Sequence, residues 1–268
     1  MPDNIVTIDF RRHLHLEAQD CVLDLGSGNG RHTIEACRWP CRIVSVDVSQ
    51  EELRKARYFL RAPSGASPFD HYHDQRKEGF LGWADFIVAD AQHLPFRDGA
   101  FDKVICTEVL EHIPDDKLGI RELYRVAKAG ADFAVSVPRN GPERWFWRLS
   151  WEYWHTPGGH VRIYRSGEMA RYLSEQGFWV RTIRYRHAFQ SVYWFLRCTF
   201  GKDNEQSLLP RMVMRFINWY HRRRPRMVER FEATANLVIG KDMVHYGSKP
   251  ATDGASDGSF ARQESSVR

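Results

Sequence analysis

The chain of 268 residues has few cysteines and no long apolar run. Its five cysteines are scattered, and Cys37 and Cys41 have no second pair that would complete a zinc site. No apolar stretch reaches the roughly 20 residues that a membrane-spanning helix needs. The first residues also lack the apolar core of a secretory signal. We therefore expect a cytoplasmic protein with reduced thiols and no transmembrane helix.

The segment from Val22 to Ala36 predicts a buried strand, a glycine turn and the start of a helix. An apolar run ends in the sequence GSGNG at 26–30, and a helical pattern follows. Glycine lets the backbone approach a ligand closely, and a helix N-terminus attracts negative charge. The third glycine of the NAD-type fingerprint G-x-G-x-x-G is missing, because Arg31 occupies its place. We expect a ligand with an anionic group here, while Asp24 can face a cation such as an amino-acid ammonium.

Two further acids follow predicted strands. Asp47 ends a strand at 42–47, 21 residues after Gly26, where a carboxylate can accept two hydrogen bonds from a ribose diol. Asp90 follows a strand predicted at 84–89. Ligands of open parallel sheets lie at the carboxyl ends of the strands. We therefore expect Asp24, Asp47 and Asp90 to face one cleft.

Two patterns carry a family resemblance: D-x-G-x-G-x-G from Asp24 and D-A-x-x-L-P-F-x-D-x-x-F-D from Asp90. Together they resemble the class I S-adenosylmethionine-dependent methyltransferases of the type 11 and ubiquinone-pathway kind, over the first half to two-thirds of the chain. The resemblance implies an α/β, Rossmann-like, mostly parallel sheet with helices on both faces, and S-adenosylmethionine as cofactor. It implies that Asp47 binds the ribose and Asp90 the adenine amino group. The expected cofactor-binding residues are Asp24, Gly26, Ser27, Gly28, Gly30, Asp47, Val48, Asp90, Ala91 and Glu108.

The predicted fourth strand runs into the sequence EVLEH at 108–112. Methyl transfer to a hydroxyl needs alignment and removal of a proton, and Glu108 is expected near the methyl donor as a catalytic candidate. The E-x-x-E-H spacing resembles ubiquinone-pathway O-methyltransferases, in which equivalent residues bind a magnesium-type ion. Many relatives with this sequence bind no metal. We predict none here, with Glu108, Glu111 and His112 as the alternative ligand set.

Two histidines are candidates for the general base. A pattern G-x-H, followed by a capped helix and Gly-Phe, resembles O-methyltransferases of the ubiquinone and sugar type, in which the histidine lies over the acceptor. His160 is the first candidate and His155 the second, because neutral imidazole can accept a hydroxyl proton near neutral pH. A histidine that only fixes its glycine-rich turn is the alternative.

Positive charge and aromatic residues concentrate in one part of the chain. Between Arg139 and Arg230, 18 lysines and arginines accompany 7 acids, together with 19 of the 35 aromatic residues. We predict a methyltransferase domain at 1–187, with a short helix at 10–16, an insertion loop at 61–84 and a substrate-facing segment at 139–165. A C-terminal helical extension at 188–246 and a disordered tail at 247–268 complete the prediction.

The predicted function is methyl transfer to a small-molecule, lipid, quinone or glycan acceptor, at oxygen in preference to carbon or nitrogen. The basic aromatic region would then line an acceptor pocket or contact a membrane surface peripherally. The alternative is a non-catalytic or RNA-directed module whose arginines follow phosphates. Turns typical of DNA-base methyltransferases are absent, so we expect no DNA, and no recognisable RNA-binding module is present. The sequence does not predict the oligomeric state.

Overall fold

The computed structural model describes residues 6–62, 81–151, 159–165, 167–200 and 207–251. Within them, seven strands form one sheet in the order β3-β2-β1-β4-β5-β7-β6. The strands are β1 (Cys21–Leu25), β2 (Arg42–Asp47), β3 (Trp83–Val88), β4 (Phe101–Thr107), β5 (Ala127–Pro138), β6 (Trp179–Arg186) and β7 (Asp242–Ser248). Strand β7 runs antiparallel to both neighbours, and the remaining neighbours pair in parallel.

Eight helices accompany the sheet in the described residues. They are α1 (Arg31–Ala36), α2 (Gln50–Arg61), α3 (Asp116–Val126), α4 (Asn140–Leu149), α5 (Glu168–Gln176), α6 (Ala188–Phe200), α7 (Leu208–Arg223) and α8 (Arg226–Ile239). Ser49, with Glu52 three residues later, predicts a helix N-cap. It caps α2, because its hydroxyl accepts a hydrogen bond from the Glu52 N–H. Asp115 caps α3 in the same way, through the Leu118 N–H.

Two buried clusters cover the two faces of the sheet. Successive side chains of a strand point to opposite faces. Accordingly, Leu23 and Leu25 join a cluster with α3 and α5, whereas Val22 joins one with α1 and residues 8–16. The predicted α/β, Rossmann-like, mostly parallel sheet with helices on both faces is therefore confirmed. No described helix combines the length and the apolar character needed to cross a bilayer.

Strand β7 corrects the predicted C-terminal region. Residues 242–246 were expected in a helical extension and residues 247–248 in a disordered tail, but all of them form a strand between β5 and β6. Met243, Val244 and Tyr246 are buried there. Helices α6 to α8 therefore form an insertion between β6 and β7. Residues 252–268 lie outside the described residues.

Two smaller predictions also differ from the structure. Residues 10–16 form turns in place of a helix, because the Asp9 carboxylate binds the Arg11 and Arg12 N–H groups and closes a local turn. Nearby, the Thr7 N–H donates to His32 Nε2, so this segment lies against the start of α1. The helical pattern that follows Asp116 predicts a helix that stops near Gly130, but strand β5 already begins at Ala127 and includes Gly130. Most of the predicted insertion loop, residues 63–80, lies outside the described residues.

Candidate functional site

The glycine turn after β1 is shaped by close contacts and by left-handed backbone. Gly26 has φ of 65°, and a Cβ there would lie 2.1 Å from Val109 Cγ2, so only glycine fits. Gly28 has φ of 50°, but a Cβ would meet no atom within 4 Å. Its N–H donates to Asp47 Oδ2 over 2.8 Å. Gly30, with φ of 86°, precedes α1. The turn therefore presents an open backbone surface at Gly28.

Asp24 carries a buried carboxylate with one oxygen left to bind a ligand. The side chain is 1% exposed, and its Oδ2 accepts a hydrogen bond from Thr33 Oγ1 over 2.6 Å. Its Oδ1 is buried and has no hydrogen-bond partner. Burial raises the pKa of Asp24 to about 6, although the Thr33 hydroxyl opposes this shift. A bound cation would satisfy Oδ1, so the residue fits the ammonium group predicted for it.

The remaining predicted cofactor residues lie around this turn and the strands beside it. The two oxygens of Asp47 accept hydrogen bonds from the Gly28 and Ser49 N–H groups, which hold the carboxylate still. Each oxygen keeps a second lone pair for a ribose hydroxyl. The Ser27 hydroxyl, which is buried, accepts from Ser45 Oγ over 2.7 Å. Val48 directly follows Asp47 and is exposed.

Asp90 and Ala91 follow β3, the neighbour of β2. Because Asp47 pairs with Val88, the ends of these two strands lie side by side. The Asp90 carboxylate is half-exposed, and a hydrogen bond from the Gln92 N–H lowers its pKa. Ala91 is buried. Asp24 and Asp47 thus lie on β1 and β2, and Asp90 lies just after the adjacent β3, while their roles stay predictions.

Glu108 lies at the end of β4, in strained backbone. Its φ of 56° is unusual for a residue with a side chain. One carboxylate oxygen accepts from Ser136 Oγ over 3.0 Å, and the other lies 3.7 Å from Lys241 Nζ. Burial, followed by the charge of Asp242, raises the pKa of Glu108, and Lys241 opposes the rise. The next residue, Val109, contacts Gly26, so this end of β4 adjoins the glycine turn.

Glu111 is completely buried, and neither carboxylate oxygen has a hydrogen-bond partner. Burial and the neighbouring Glu108 raise its pKa well above the ordinary value. The nearest basic groups are His112 Nε2 at 3.8 Å and His160 Nε2 at 4.0 Å. Glu111, His112 and His160 could together hold a metal ion. The alternative ligand set from the sequence was Glu108, Glu111 and His112. In the structure, His160 takes the place of Glu108 in that set.

His160 lies beside a second carboxylate, that of Glu143 on α4, although its Nδ1 makes no hydrogen bond within the described residues. Its Nδ1 lies 3.4 Å from Glu143 Oε2, and Glu143 is buried. The loop is fixed by a hydrogen bond from the Val161 N–H to the Glu111 carbonyl. The His112 and His160 rings meet edge to face, with centroids 5.0 Å apart. A carboxylate close to one ring nitrogen of an imidazole favours proton acceptance by the other. His155 lies outside the described residues.

Three functional candidates were missed by sequence reasoning: Glu143, Lys241 and Asp242. Lys241 Nζ lies 3.7 Å from Glu108, 4.0 Å from Glu143 and 3.5 Å from Asp242. Asp242 is buried and accepts a hydrogen bond from His187 Nδ1 over 2.5 Å. Burial acts to raise its pKa, but Lys241 and His187 outweigh it and lower the value to about 2. No local motif marks these residues because, apart from the contact between the adjacent Lys241 and Asp242, their partners are distant in sequence.

The family assignment rests on the part of the chain that forms this cleft. Residues 23–135 match the family model described as a methyltransferase domain, and they contain Asp24, Asp47, Asp90 and Glu108. The matched region, residues 23–135, therefore belongs to the class I S-adenosylmethionine-dependent methyltransferases. Membership implies S-adenosylmethionine as the cofactor. The open Asp24 oxygen and the uncovered Gly28 backbone fit that ligand.

The curated relatives of this chain are named for methyl transfer to different atoms. Norajmaline N-methyltransferase of Rauvolfia serpentina is 30% identical over 42% of this chain and 34% of its own length. Sterol 24-C-methyltransferase of Eremothecium gossypii is 28% identical over 58% of this chain and 38% of its own length. Ubiquinone biosynthesis O-methyltransferase of Sodalis glossinidius is 30% identical over 46% of this chain and 43% of its own length. The chain thus spans between a third and a half of the length of these relatives.

Solved structures share the fold of this chain over most of its length. An S-adenosylmethionine-dependent methyltransferase of Methanosarcina mazei aligns with a TM-score of 0.56 at 17% identity, covering 89% of this chain and 96% of that one. The [4+2]-cyclase SpnF aligns with the same TM-score at 19% identity, covering 91% of this chain and 78% of that one. Because these identities are low, they show the fold alone.

Proposed function

We propose that this methyltransferase transfers the methyl group of S-adenosylmethionine to a hydroxyl oxygen of an apolar small molecule, such as a lipid or quinone. The observation that carries the proposal is the pairing of His160 with the buried Glu143, beside Glu108 at the end of β4. The contact between Val109 and Gly26 joins this cluster to the cofactor turn.

The cofactor supplies an activated methyl group on a sulfonium. In the proposed complex, Asp24 binds its ammonium group, Asp47 its ribose hydroxyls and Asp90 its adenine amino group. These contacts fix its position, and alignment is a large part of what methyl transfer requires.

Proton removal is the reason for preferring oxygen. A hydroxyl nucleophile must lose its proton, and His160 Nε2 is the proposed acceptor. Glu143 on Nδ1 orients the ring and stabilises the imidazolium that forms. The relatives include enzymes named for nitrogen, carbon and oxygen acceptors, so the argument for oxygen rests on this pair alone.

An apolar acceptor is supported by the composition of α4 and the chain that follows it. Glu143 and Phe146 of this helix are buried, whereas Trp145 and Trp151 are exposed on the outside. Aromatic walls with a few convergent polar groups are typical of small-molecule sites.

The test is transfer of tritiated methyl from S-adenosylmethionine into lipid, quinone and glycan extracts, with the product hydrolysed to identify the methylated atom. His160→Ala and Glu143→Gln should each lower kcat about 10²- to 10⁴-fold with little change in cofactor affinity. The matched control is His15→Ala, at an exposed histidine.

Label on nitrogen or carbon would contradict the oxygen assignment. If the protein binds the cofactor tightly but transfers methyl neither into an extract nor into RNA, the result would support the non-catalytic alternative. Transfer into RNA alone would support the RNA-directed one.

A further inference from the structure

The helical insertion, α6 to α8, exposes many large apolar side chains. On α7, Leu208 is 72% exposed and Met212 62%, and on α8 Met227 is 84% and Phe231 66%. Other exposed apolar residues on these two helices are Leu209, Phe216, Trp219, Leu237 and Val238. We call the outward faces of α7 and α8 the insertion surface. Such a patch marks an interaction site when it is continuous and organised.

Arginines flank the apolar residues of α7 in matching register. Leu208, Met212 and Trp219 follow one another at intervals of four and seven, which places them on one stripe of a helix. Arg211, Arg215 and Arg222 have the same intervals, displaced by three residues. At 3.6 residues per turn this stripe lies about 60° around the helix from the apolar one. The helix thus presents an apolar band with a row of cations along its edge.

Helix α8 also combines exposed apolar residues with arginines, and it adjoins α7. Met227 and Phe231 are each preceded by an arginine, Arg226 and Arg230. The Phe189 ring of α6 lies between the two helices, with centroids 5.1 Å from Phe216 of α7 and 6.2 Å from Phe231 of α8. Phe216 and Phe231 are both exposed, so apolar residues of the two helices approach each other across Phe189.

The charge of the insertion surface is strongly positive. Within 188–200 and 207–239 there are eight arginines and only two acids, Glu229 and Glu232, and α6 and α7 contain no acid. Glu232 accepts a hydrogen bond from the Tyr220 hydroxyl of α7, so its carboxylate is used inside the insertion. The surface therefore offers arginine to an anionic partner with little competing negative charge.

We propose that the insertion surface docks onto an anionic phospholipid bilayer, with α7 and α8 lying in the plane of the interface. The apolar bands enter the boundary between headgroups and acyl chains, and the arginines bind lipid phosphates. A second copy of the chain fits less well, because two such surfaces would bring like charges together. RNA would also leave Leu208, Met212 and Met227 unused, since bases stack on aromatic rings.

The same orientation brings the candidate site close to the membrane. Helix α4 packs against α6, and it carries exposed Trp145 outside and buried Glu143 inside. An acceptor dissolved in the bilayer would then reach His160 along α4. This route rests on the proposed function, whereas docking itself does not.

The test is flotation of the full chain with vesicles of phosphatidylcholine, with and without phosphatidylglycerol. We expect at least about tenfold stronger binding to the anionic vesicles, weakened by salt. The triple variant Arg211→Gln/Arg215→Gln/Arg222→Gln should bind roughly 100-fold more weakly, at about fivefold for each arginine. Met212→Asp should weaken binding by removing apolar contact. Neither change touches the cofactor turn, so cofactor affinity reports that the variants are folded.

Matched controls come from α2, where Arg54, Arg57 and Tyr58 are exposed. Arg54→Gln/Arg57→Gln and Tyr58→Asp should leave vesicle binding unchanged. Equal binding to neutral and anionic vesicles would overturn the proposal, as would equal losses in the control variants. Self-association through this surface, or tighter binding of an RNA homopolymer than of anionic vesicles, would also overturn it. None of these measurements requires turnover, so failure of docking is distinguishable from failure of the proposed reaction.

Discussion

At the scale of single residues, the buried carboxyl of Asp24 destabilises the folded protein when it is ionised, and a bound cation would offset this effect. A rise in pKa from 3.8 to about 6 corresponds to about 3 kcal/mol. The free energy of unfolding includes this contribution in full below the unfolded pKa of Asp24, where the carboxyl is protonated in both states. The contribution is lost as pH rises through about 6, where the buried carboxyl ionises. An ammonium group at the open oxygen stabilises the ionised form, so binding and ionisation are coupled.

The affinity for S-adenosylmethionine should therefore depend on pH. Below about pH 6, Asp24 must release its proton before it can pair with the ammonium, so the dissociation constant should rise up to about tenfold per pH unit between about pH 6 and pH 5. Above pH 6 it should level off until the ammonium itself titrates. Titration calorimetry at several pH values checks this. Asp24→Asn should bind weakly and without the dependence, and a flat profile in the unaltered protein would remove Asp24 from the ammonium site.

Asp47 is tied to the turn by two backbone donors, and its removal should weaken cofactor binding. Asp47→Ala leaves the Gly28 and Ser49 N–H groups and the ribose hydroxyls without their acceptor, so we expect a loss of about 1–3 kcal/mol. Asp85→Ala is the matched control, because that exposed carboxylate on β3 bonds to Arg42. Unchanged calorimetric affinity in Asp47→Ala would exclude a ribose contact.

Burial and the neighbouring Glu108 raise the pKa of Glu111 well above the ordinary value, which favours its protonated form. Glutamine reproduces the shape of a protonated glutamate, so Glu111→Gln should keep the free energy of unfolding within about 1 kcal/mol. EDTA should leave methyl transfer intact. A large loss of stability in Glu111→Gln, with EDTA inhibition reversed by magnesium, would instead identify Glu111, His112 and His160 as metal ligands.

At the scale of elements, the helical insertion is separable from the core. Neither of the two buried clusters of the sheet contains a residue of α6, α7 or α8. The strands on either side already meet, because Arg186 of β6 pairs with Asp242 of β7. Opposite residues of an antiparallel pair stand only about 5 Å apart. The chain can therefore close here without the intervening helices.

Replacing residues 188–240 with an Asn-Gly turn should give a folded domain. We expect cofactor affinity to be retained, because the cofactor turn lies on β1 to β3, and vesicle binding to be lost. Methyl transfer should decrease, because α4 loses its contact with α6. Circular dichroism melting, calorimetry and flotation check the three parts. A variant that cannot fold would show that the insertion supports the sheet.

Sequence reasoning found the elements whose signals are local. Asp47 and Asp90 were predicted because each ends or follows an apolar run at a strand end, and Ser49 because a cap lies beside its helix. Strand β7 was missed: its pairing with β5 and β6 joins residues far apart in the sequence. Its signal was faint, a short apolar run in Met243, Val244 and Tyr246 after a helix. Glu143 and Lys241 were missed for the same reason, since buried ion pairs leave no sequence pattern.

At the scale of the whole molecule, ligand binding should raise the melting temperature. A cofactor at about 100 times its dissociation constant adds about 2.7 kcal/mol to the free energy of unfolding. For a chain of this size we expect an increase of roughly 5–10 °C. NAD is the control, because Arg31 replaces the third glycine of its fingerprint and no shift should follow. Scanning fluorimetry with both compounds measures this, and an equal shift with NAD would contradict the cofactor assignment.

The position of β7 has a consequence for how the protein is made. Until this strand leaves the ribosome, β5 has one bare edge and β6 has no partner in the sheet, because β7 lies between them. Bare edges invite pairing with other nascent chains. Lys241 and Asp242 arrive with the same strand. Glu108 and Glu143 therefore gain the nearby Lys241 only when synthesis has passed the insertion. A chain interrupted before that point has an incomplete sheet and also lacks the lysine that balances these buried acids.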